Sequence, residues 1–214
     1  MSDPARQTAL HIIQSVLDRR QALDLLLERD ETMQALDTRD RAFARMIVAT
    51  TLRRLGQIDD MVRRASDKPE PPNPPKLHHL LRLATTQIAF MNVPDYAVVD
   101  TAVTMAEENG LNRQKAFINA VLRRIAGEHA GWVAKQDAGR LNTPDWLMKS
   151  WIDDYGLRTA AEIAQAHLSE APLDIVAKNP DETKHWAQTL DAAILPTGLL
   201  RKTGGGRVQD LPGY

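Results

Sequence analysis

The sequence contains no cysteine. That excludes disulfide bridges, thiolate zinc sites and a cysteine nucleophile together. Aromatic residues make up only 5% of the 214 positions, and with Ala and Leu abundant the balance favours helix over sheet. No apolar run approaches the ~18 residues that would mark a membrane span. The opening MSDPARQTAL lacks a signal-peptide pattern, so a cytoplasmic location is expected and no membrane partner. Excess charge is missing too. The formal net charge is −1, which gives no global pull toward a polyanion. The glycine motifs of nucleotide sites are absent: Gly204-Gly205-Gly206 fits neither GxxxxGK[ST] nor GxGxxG and reads as a hairpin turn. The histidines His11, His78, His79, His129, His167 and His185 form no i,i+4 pair, and neither HExxH nor GxSxG occurs, so no metal site is expected. The residues therefore supply no catalytic machinery, no cofactor loop and no metal ligands.

What remains is a chain built of helix signals. The 43% hydrophobic content suffices for one core. Asp3–Pro4 reads as N-cap then N1, followed by Ala5, Ala9, Ile12, Ile13, Val16 and Leu17 at helical spacing. A second helix carries Leu23, Leu26 and Leu27. A third begins near Asp37–Thr38, with Phe43, Met46, Ile47 and Thr50 inward. Gly56 is expected to separate it from a short helix bearing Ile58, Met61 and Val62. DKPEPPNPPK, Asp67–Lys76, holds five prolines in ten residues; proline lacks the backbone donor, so this is an extended connector between two helical groups.

Beyond it, Leu77, Leu80, Leu81, Ala84, Ile88 and Met91 form one stripe. Asn92–Asp95 is a turn in which Asp95 can cap the next helix, and that helix ends at Asn109–Gly110 with a C′ glycine. Asn112 is expected to cap the segment AFINAVLRRI, Ala116–Ile125. There Phe117, Ile118, Val121, Leu122 and Ile125 share a face. Ala116 and Ala120 lie behind them, suggesting a central helix contacted on two sides. Asn119 sits on the boundary and is expected to bond a loop backbone, with the Asn92–Asp95 turn as first choice. Arg123 and Arg124 fall in the last turns, where the helix dipole accounts for cations by itself.

After Gly127 the pattern changes. Thr143–Pro144 reads as another N-cap and N1 pair, Leu147, Trp151, Ile152 and Tyr155 follow, and Gly156 closes that helix. Thr159–Glu162 fits a capping box. Trp132, Trp146, Trp151 and Trp186 read as packing residues. From Pro172 the period becomes two, with Leu173, Ile175 and Ala177 on one side of a strand. A short helix around Trp186 and Leu190 follows. This strand and helix have no evident partner and look like the start of a further domain.

Charge is segregated locally. Arg39–Arg64 holds seven Arg against three Asp, and Leu111–Ile125 holds four basic residues and no acid. Basic patches on a neutral chain permit RNA binding without requiring it.

The run LLRLATTQIAFMNVPDYAVVDTAVTMAEENG followed by AFINAVLRRI resembles the NusB-type helical domain. RDRAFARMIVATTLRRLGQID, Arg39–Asp59, is similar to the same family. DWLMKSWIDDYG, Asp145–Gly156, is similar to a linker of one branch: the N-terminal part of bacterial 16S ribosomal RNA cytosine-C5 methyltransferases of the Sun/Fmu type. The ending GGGRVQDLPGY resembles the segment preceding that branch's catalytic domain. The resemblance covers essentially all 214 residues. One departure is TTQIAF, where the family more often has Tyr before the position of Gln87.

The resemblance implies an all-α NusB-like bundle over residues 1–130, a helical connector over 131–170 and an incomplete α/β segment over 171–214. It implies a role in binding 16S ribosomal RNA and positioning it for a catalytic domain, itself a partner, that uses S-adenosylmethionine. That domain attacks the cytosine ring through cysteine, because C5 is a poor nucleophile until a thiolate adds to the adjacent carbon. This chain has no such cysteine and looks like the N-terminal portion of such an enzyme. Two rivals stand beside this role: an antitermination-type RNA adaptor, and a docking module for its own catalytic domain. Scarcity of acid and the implied RNA substrate together mark Arg39, Arg41, Arg45, Arg53, Arg54, Arg113, Lys115, Arg123 and Arg124 as containing an RNA-facing surface. Arg123 and Arg124 point about 100° apart on an ideal helix, so one is expected to contact RNA and the other to pair with a carboxylate.

Overall fold

A computed structural model describes residues 3–68, 70–203 and 208–214. The glycine run at 204–206, expected as a hairpin turn, lies outside the described residues. The chain forms two compact units, Met1–Leu168 and Ser169–Tyr214.

The first unit is helical throughout its described residues. Its elements are α1 Pro4–Leu17, α2 Leu23–Arg29, α3 Glu31–Gln34, α4 Thr38–Arg53, α5 Leu55–Ser66, α6 Pro75–Phe90, α7 Asp95–Glu108, α8 Lys115–Val133, α9 Ala138–Asn142 and α10 Asp145–Ala166. The strongest sequence signals set the boundaries. The Asp3 carboxylate accepts from the Arg6 N–H at 2.9 Å with Pro4 at N1, and the Asp37 carboxylate accepts from the Asp40 N–H at 2.8 Å. Gly110, at φ 74°, closes α7, and the Leu111 N–H reaches the Ala106 carbonyl at 2.7 Å, the geometry of a left-handed helix stop.

Helix α6 is the hub. Ten of its sixteen residues are buried, and it packs against α1, α4, α5, α7 and α8. The helical groups on either side of the proline connector therefore share one core. Helix α8 does not have the central place expected from its alanines, since Ala116 and Ala120 face solvent. A helix surrounded on all sides must also bury its polar side chains, and each needs a partner. His79 is 2% exposed; its Nε2 lies 2.9 Å from the Asp18 carboxylate, and its Nδ1 lies 3.1 Å from an Arg82 N–H. Arg82 in turn donates twice to Asp59 at 2.7 Å, and His78 Nε2 sits 3.0 Å from the same carboxylate. Thr86 and Thr51 pair at 2.8 Å across α6 and α4. Gln87, 1% exposed, accepts from Arg6 Nε at 2.6 Å. Gln87 thus ties α1 to the hub, while Thr86, the residue at the TTQIAF departure, ties α4 to it.

Several local expectations are corrected. In α4 the buried residues are Ala44, Ile47, Val48 and Thr51, while Met46 is 49% exposed. The inward face is rotated because Phe43 sits at its edge, under the Arg6 guanidinium at 5.0 Å. Gly56 is not a breaker but lies in the first turn of α5. A Cβ there would meet the Leu141 carbonyl oxygen at 1.8 Å, so the glycine permits α9 to rest on α5. Asp95 and Asn112 make no side-chain cap bonds. Thr143 donates back to the Gly139 carbonyl at 2.8 Å, closing α9 instead of opening α10. Gly156, at φ 78°, does interrupt α10, but Glu162 pairs with Arg158 at 3.1 Å instead of completing a capping box. Trp146 is 71% exposed and is not a packing residue.

The second unit holds β1 Leu173–Ile175, α11 Thr183–Leu190, β2 Ala193–Ile194 and β3 Leu200–Lys202. The strand expected to lack a partner has one. Strand β1 runs antiparallel to β3, with Asp174 opposite Arg201, and the strand order is β1-β3-β2. Arg201 donates twice to Asp174 at 2.7 Å, fixing the register from one face. On the other face Leu200 is fully buried.

Two consequences follow for stability. Gly56→Ala forces backbone apart and is expected to cost roughly 1–3 kcal/mol, read as a lowered urea midpoint; an unchanged midpoint contradicts the close approach. The second concerns acid. Burial pulls the His79 pKa below its ordinary 6.5, against the opposing pull of Asp18. Below pH 6.5 the unfolded chain therefore takes up a proton that the folded chain resists, and stability falls as pH falls through that value. Thermal unfolding should show a midpoint that drops between pH 7.5 and 5.5, with a shallower drop in His79→Gln. Equal slopes for the two proteins would refute it.

Candidate nucleic-acid interface

The nine cations marked in the sequence separate into those the fold consumes and those it leaves to solvent. Arg41 is consumed. Its Nε donates to the Met33 carbonyl at 3.2 Å, and one terminal nitrogen donates to the Gln34 and Leu36 carbonyls at 2.9 and 2.8 Å. Met33 and Gln34 end α3, where carbonyls have no partner within the helix, and Leu36 lies just past it, so Arg41 caps the C-terminal end of that short element. Arg41, marked in the sequence as a candidate RNA contact, is thus held by the protein's own backbone.

Arg54 is also consumed. It donates to Gln57 at 3.0 Å and to the Leu168 carbonyl at 3.2 Å, with its guanidinium 5.3 Å from the centre of the Phe90 ring. Burial, helped by the adjacent Arg53 charge, lowers its pKa from the ordinary value. Arg124 reaches Asp67 at 2.6 Å and Glu128 at 3.4 Å, so it is the member of the Arg123–Arg124 pair that takes the carboxylates. The Asp67 hydrogen bond raises its pKa.

On the α7–α8 side, Lys115 pairs with Glu107. Arg123 donates to Asn119 at 3.1 Å. This exposed i,i+4 bond replaces the loop contact expected for Asn119 and is of the kind worth only a few tenths of a kcal/mol. Both residues line an open groove of ≈ 660 Å³ that also contains Asp95, Asp100 and the exposed ring of Tyr96. The two carboxylates make it a mixed-charge surface. Arg113 is exposed nearby on the turn before α8.

Helix α4 is different. Arg39 and Arg45 are exposed, Arg53 is half-buried, and none makes a hydrogen bond or ion pair with another described residue. Arg39, Met46 and Arg53 recur every seven residues and so lie close to one line. Ala42 and Ala49 lie between them, and Arg45 flanks the line. The inward residues Ala44, Ile47, Val48 and Thr51 anchor the opposite face in the core. The result is a basic face about 21 Å long from Arg39 to Arg53, with Ala42, Met46 and Ala49 between the cations. Helices α4 and α8 each pack on α6 and make no substantial contact with one another, so the nine cations do not form one surface. The seven-residue recurrence is the signal in the sequence that could have singled out this face; charge counts alone did not.

A helical bundle of this topology is of the NusB type. The NusB family profile matches residues 3–127, and the chain belongs to the NusB family. It is 29% identical over 98% of its length to a probable ribosomal RNA small subunit methyltransferase B from Synechocystis, covering 51% of that protein. It is 33% identical over 98% of its length to a ribosomal RNA small subunit methyltransferase B from Xanthomonas campestris, covering 48%. The chain thus spans about half the length of these curated relatives. Among solved structures, T. maritima NusB matches with TM-score 0.53 and 27% identity, over 61% of this chain and 95% of that one.

Arg41→Ala is expected to lower stability by about 1–3 kcal/mol, because it removes a charged donor from three carbonyls, two of them on the buried residues Met33 and Leu36. Arg45→Ala should stay within about 0.5 kcal/mol of wild type. Chemical denaturation of the two variants checks this, and a neutral Arg41→Ala refutes the capping role.

Proposed function

We infer that this chain binds ribosomal RNA through the α4 face and holds it for a methyltransferase domain outside the 214 residues. The observation that carries this is the outward side of α4, where Arg39, Arg45 and Arg53 bond no other described residue, on a helix whose other face is locked in the core. Three fixed cations without competing carboxylates suit phosphate contacts. Such contacts position a nucleic acid without reading its sequence, and sequence selection is left to other parts of the protein. The family membership and the names of the two half-matched relatives support small-subunit ribosomal RNA as substrate and a cytoplasmic setting. On this reading residues 1–130 are the RNA-holding part, and residues 131–170, with α9 and α10, are the helical connector.

S-adenosylmethionine and the cytosine-C5 specificity belong to the reading of the full-length protein. The described residues do not fit that cofactor: the sheet of Ser169–Tyr214 is antiparallel, with strands of two or three residues. It has no parallel strand leading through a glycine turn into a helix, the unit that receives a nucleotide in doubly wound folds. No methyl-transfer step is therefore assigned to residues of this chain. Among the described residues, no group of three or more His, Asp or Glu is placed to hold a metal ion, and no helix is long and apolar enough to cross a membrane.

The test is a salt titration of affinity for a helical fragment of 16S ribosomal RNA, comparing wild type with Arg39→Ala/Arg45→Ala. Loss of two phosphate contacts should weaken binding several-fold at moderate salt. It should also flatten the slope of log affinity against log salt by roughly 0.7–0.9 per contact. Equal slopes and affinities would remove α4 from the interface and favour a domain that docks only on its own catalytic partner.

A further inference from the structure

The α4 face does not end at Arg53. Beside that residue a cavity of ≈ 200 Å³ opens between the end of α4, the start of α10 and the last turn before Leu168. Its lining differs from the α7–α8 groove in one respect that decides what it can accept: it contains no carboxylate. It contains instead Arg53, Trp151 and His167, floored by Leu147 and Ala164. The Trp151 and His167 rings stand edge to face, with centroids 5.1 Å apart and planes at 73°, which gives one corner of the cavity an angled aromatic wall. The polar groups that could have closed the cavity are occupied elsewhere. Asn142 exchanges hydrogen bonds with Gln57 at 3.0 and 3.1 Å, and the Thr143 hydroxyl donates to Gly139. Arg53, the indole N–H of Trp151 and the ring of His167 make no hydrogen bond with a described residue.

We propose that this cavity receives one unpaired base of the RNA lying along α4. The inference rests on the α4 reading and extends it. The volume is below the roughly 300–1,000 Å³ of sites for drug-sized ligands and suits a single planar ring. Aromatic side chains bind unstacked bases by their faces whatever the base, and sequence-specific RNA recognition targets bulges and loops where such bases are available. Arg53 belongs both to the α4 face and to the lining of the cavity. The strand that α4 holds can therefore turn a base inward without leaving the cationic surface. Trp151 supplies stacking, Leu147 and Ala164 supply the apolar floor, and the free N–H groups of Trp151 and His167 are donors for a base edge.

The test uses three RNAs of equal length: a paired duplex, the same duplex with one single-nucleotide bulge, and that bulge made abasic. Wild type should bind the bulged RNA about tenfold tighter than the paired one, an advantage in the range of one base stacked on an aromatic ring. The abasic bulge should lose that advantage. Tryptophan emission should be quenched by the bulged RNA in wild type and not in Trp151→Phe. Trp151→Leu should erase the preference for the bulge while affinity for paired RNA and its salt slope stay as in wild type. His167→Ala, at an exposed position, should reduce the preference in part and guards against loss of fold in the Trp151 variants. Salt-dependent binding with equal affinity for all three RNAs overturns the base pocket and leaves the α4 face standing. A bulge preference that survives Trp151→Leu also overturns the pocket. Absence of binding to every RNA overturns both.

Discussion

Helix α6 is buried on every side and still carries histidines, an arginine, threonines and a glutamine. That constraint organises the larger unit. Most of these buried polar groups find a partner, because an unmatched one costs more than a made hydrogen bond returns; the buried Thr85 hydroxyl has none among the described residues. The partners come from different helices: Asp18 just past α1 for His79, Asp59 on α5 for Arg82, Thr51 on α4 for Thr86, and Arg6 on α1 for Gln87. Apolar packing alone tolerates sliding of helices by a turn, whereas these pairs do not. Asp59 illustrates the balance. Burial pushes its carboxyl up, but the hydrogen bonds from Arg82 and His78 outweigh burial and hold it below its ordinary value. The ionised pair is thereby kept as a fixed strut between α5 and α6.

The same requirement sorts the arginines. Four arginines are drawn into the fold in this way: Arg41 on the end of α3, Arg54 on the Leu168 carbonyl, Arg82 on the half-buried Asp59, and Arg124 on Asp67 just past α5. Cations left over after this sorting are the ones available to a partner outside the protein, and on α4 they fall in line. The interface is thus a remainder, defined by what the core does not use. Fixing α4 from behind through Ile47, Val48 and Thr51 keeps that line straight.

Helix existence was legible along most of the chain because apolar periodicity and proline or aspartate caps are local properties. Asp3–Pro4, Asp37–Thr38 and Gly110 each act where they stand in sequence. The phase of α4 was less legible: Phe43 and Met46 look equally inward on a wheel, and only the presence of Arg6 above the Phe43 ring separates them. Gly56 carried the same ambiguity. A glycine reads as a breaker until the Leu141 carbonyl is seen to occupy the space its side chain would need. The partner of Leu173–Ile175 was hidden because β3 is three residues long, too short to leave a pattern.

The sequence by itself determined the helical class, the family, the position of the proline connector and the segments in which cations concentrate. Those follow from spacing, composition and short-range caps, which act within a few residues. Which arginine is free, which helix is central and which aromatic rings meet were decided only by the tertiary structure. A guanidinium six atoms from its backbone chooses among acceptors that lie far apart in sequence, as Arg54 does at Leu168 and Arg124 at Asp67. Trp151 and His167, sixteen positions apart, face one another only because Gly156 takes a positive φ and turns the second half of α10 back across the first.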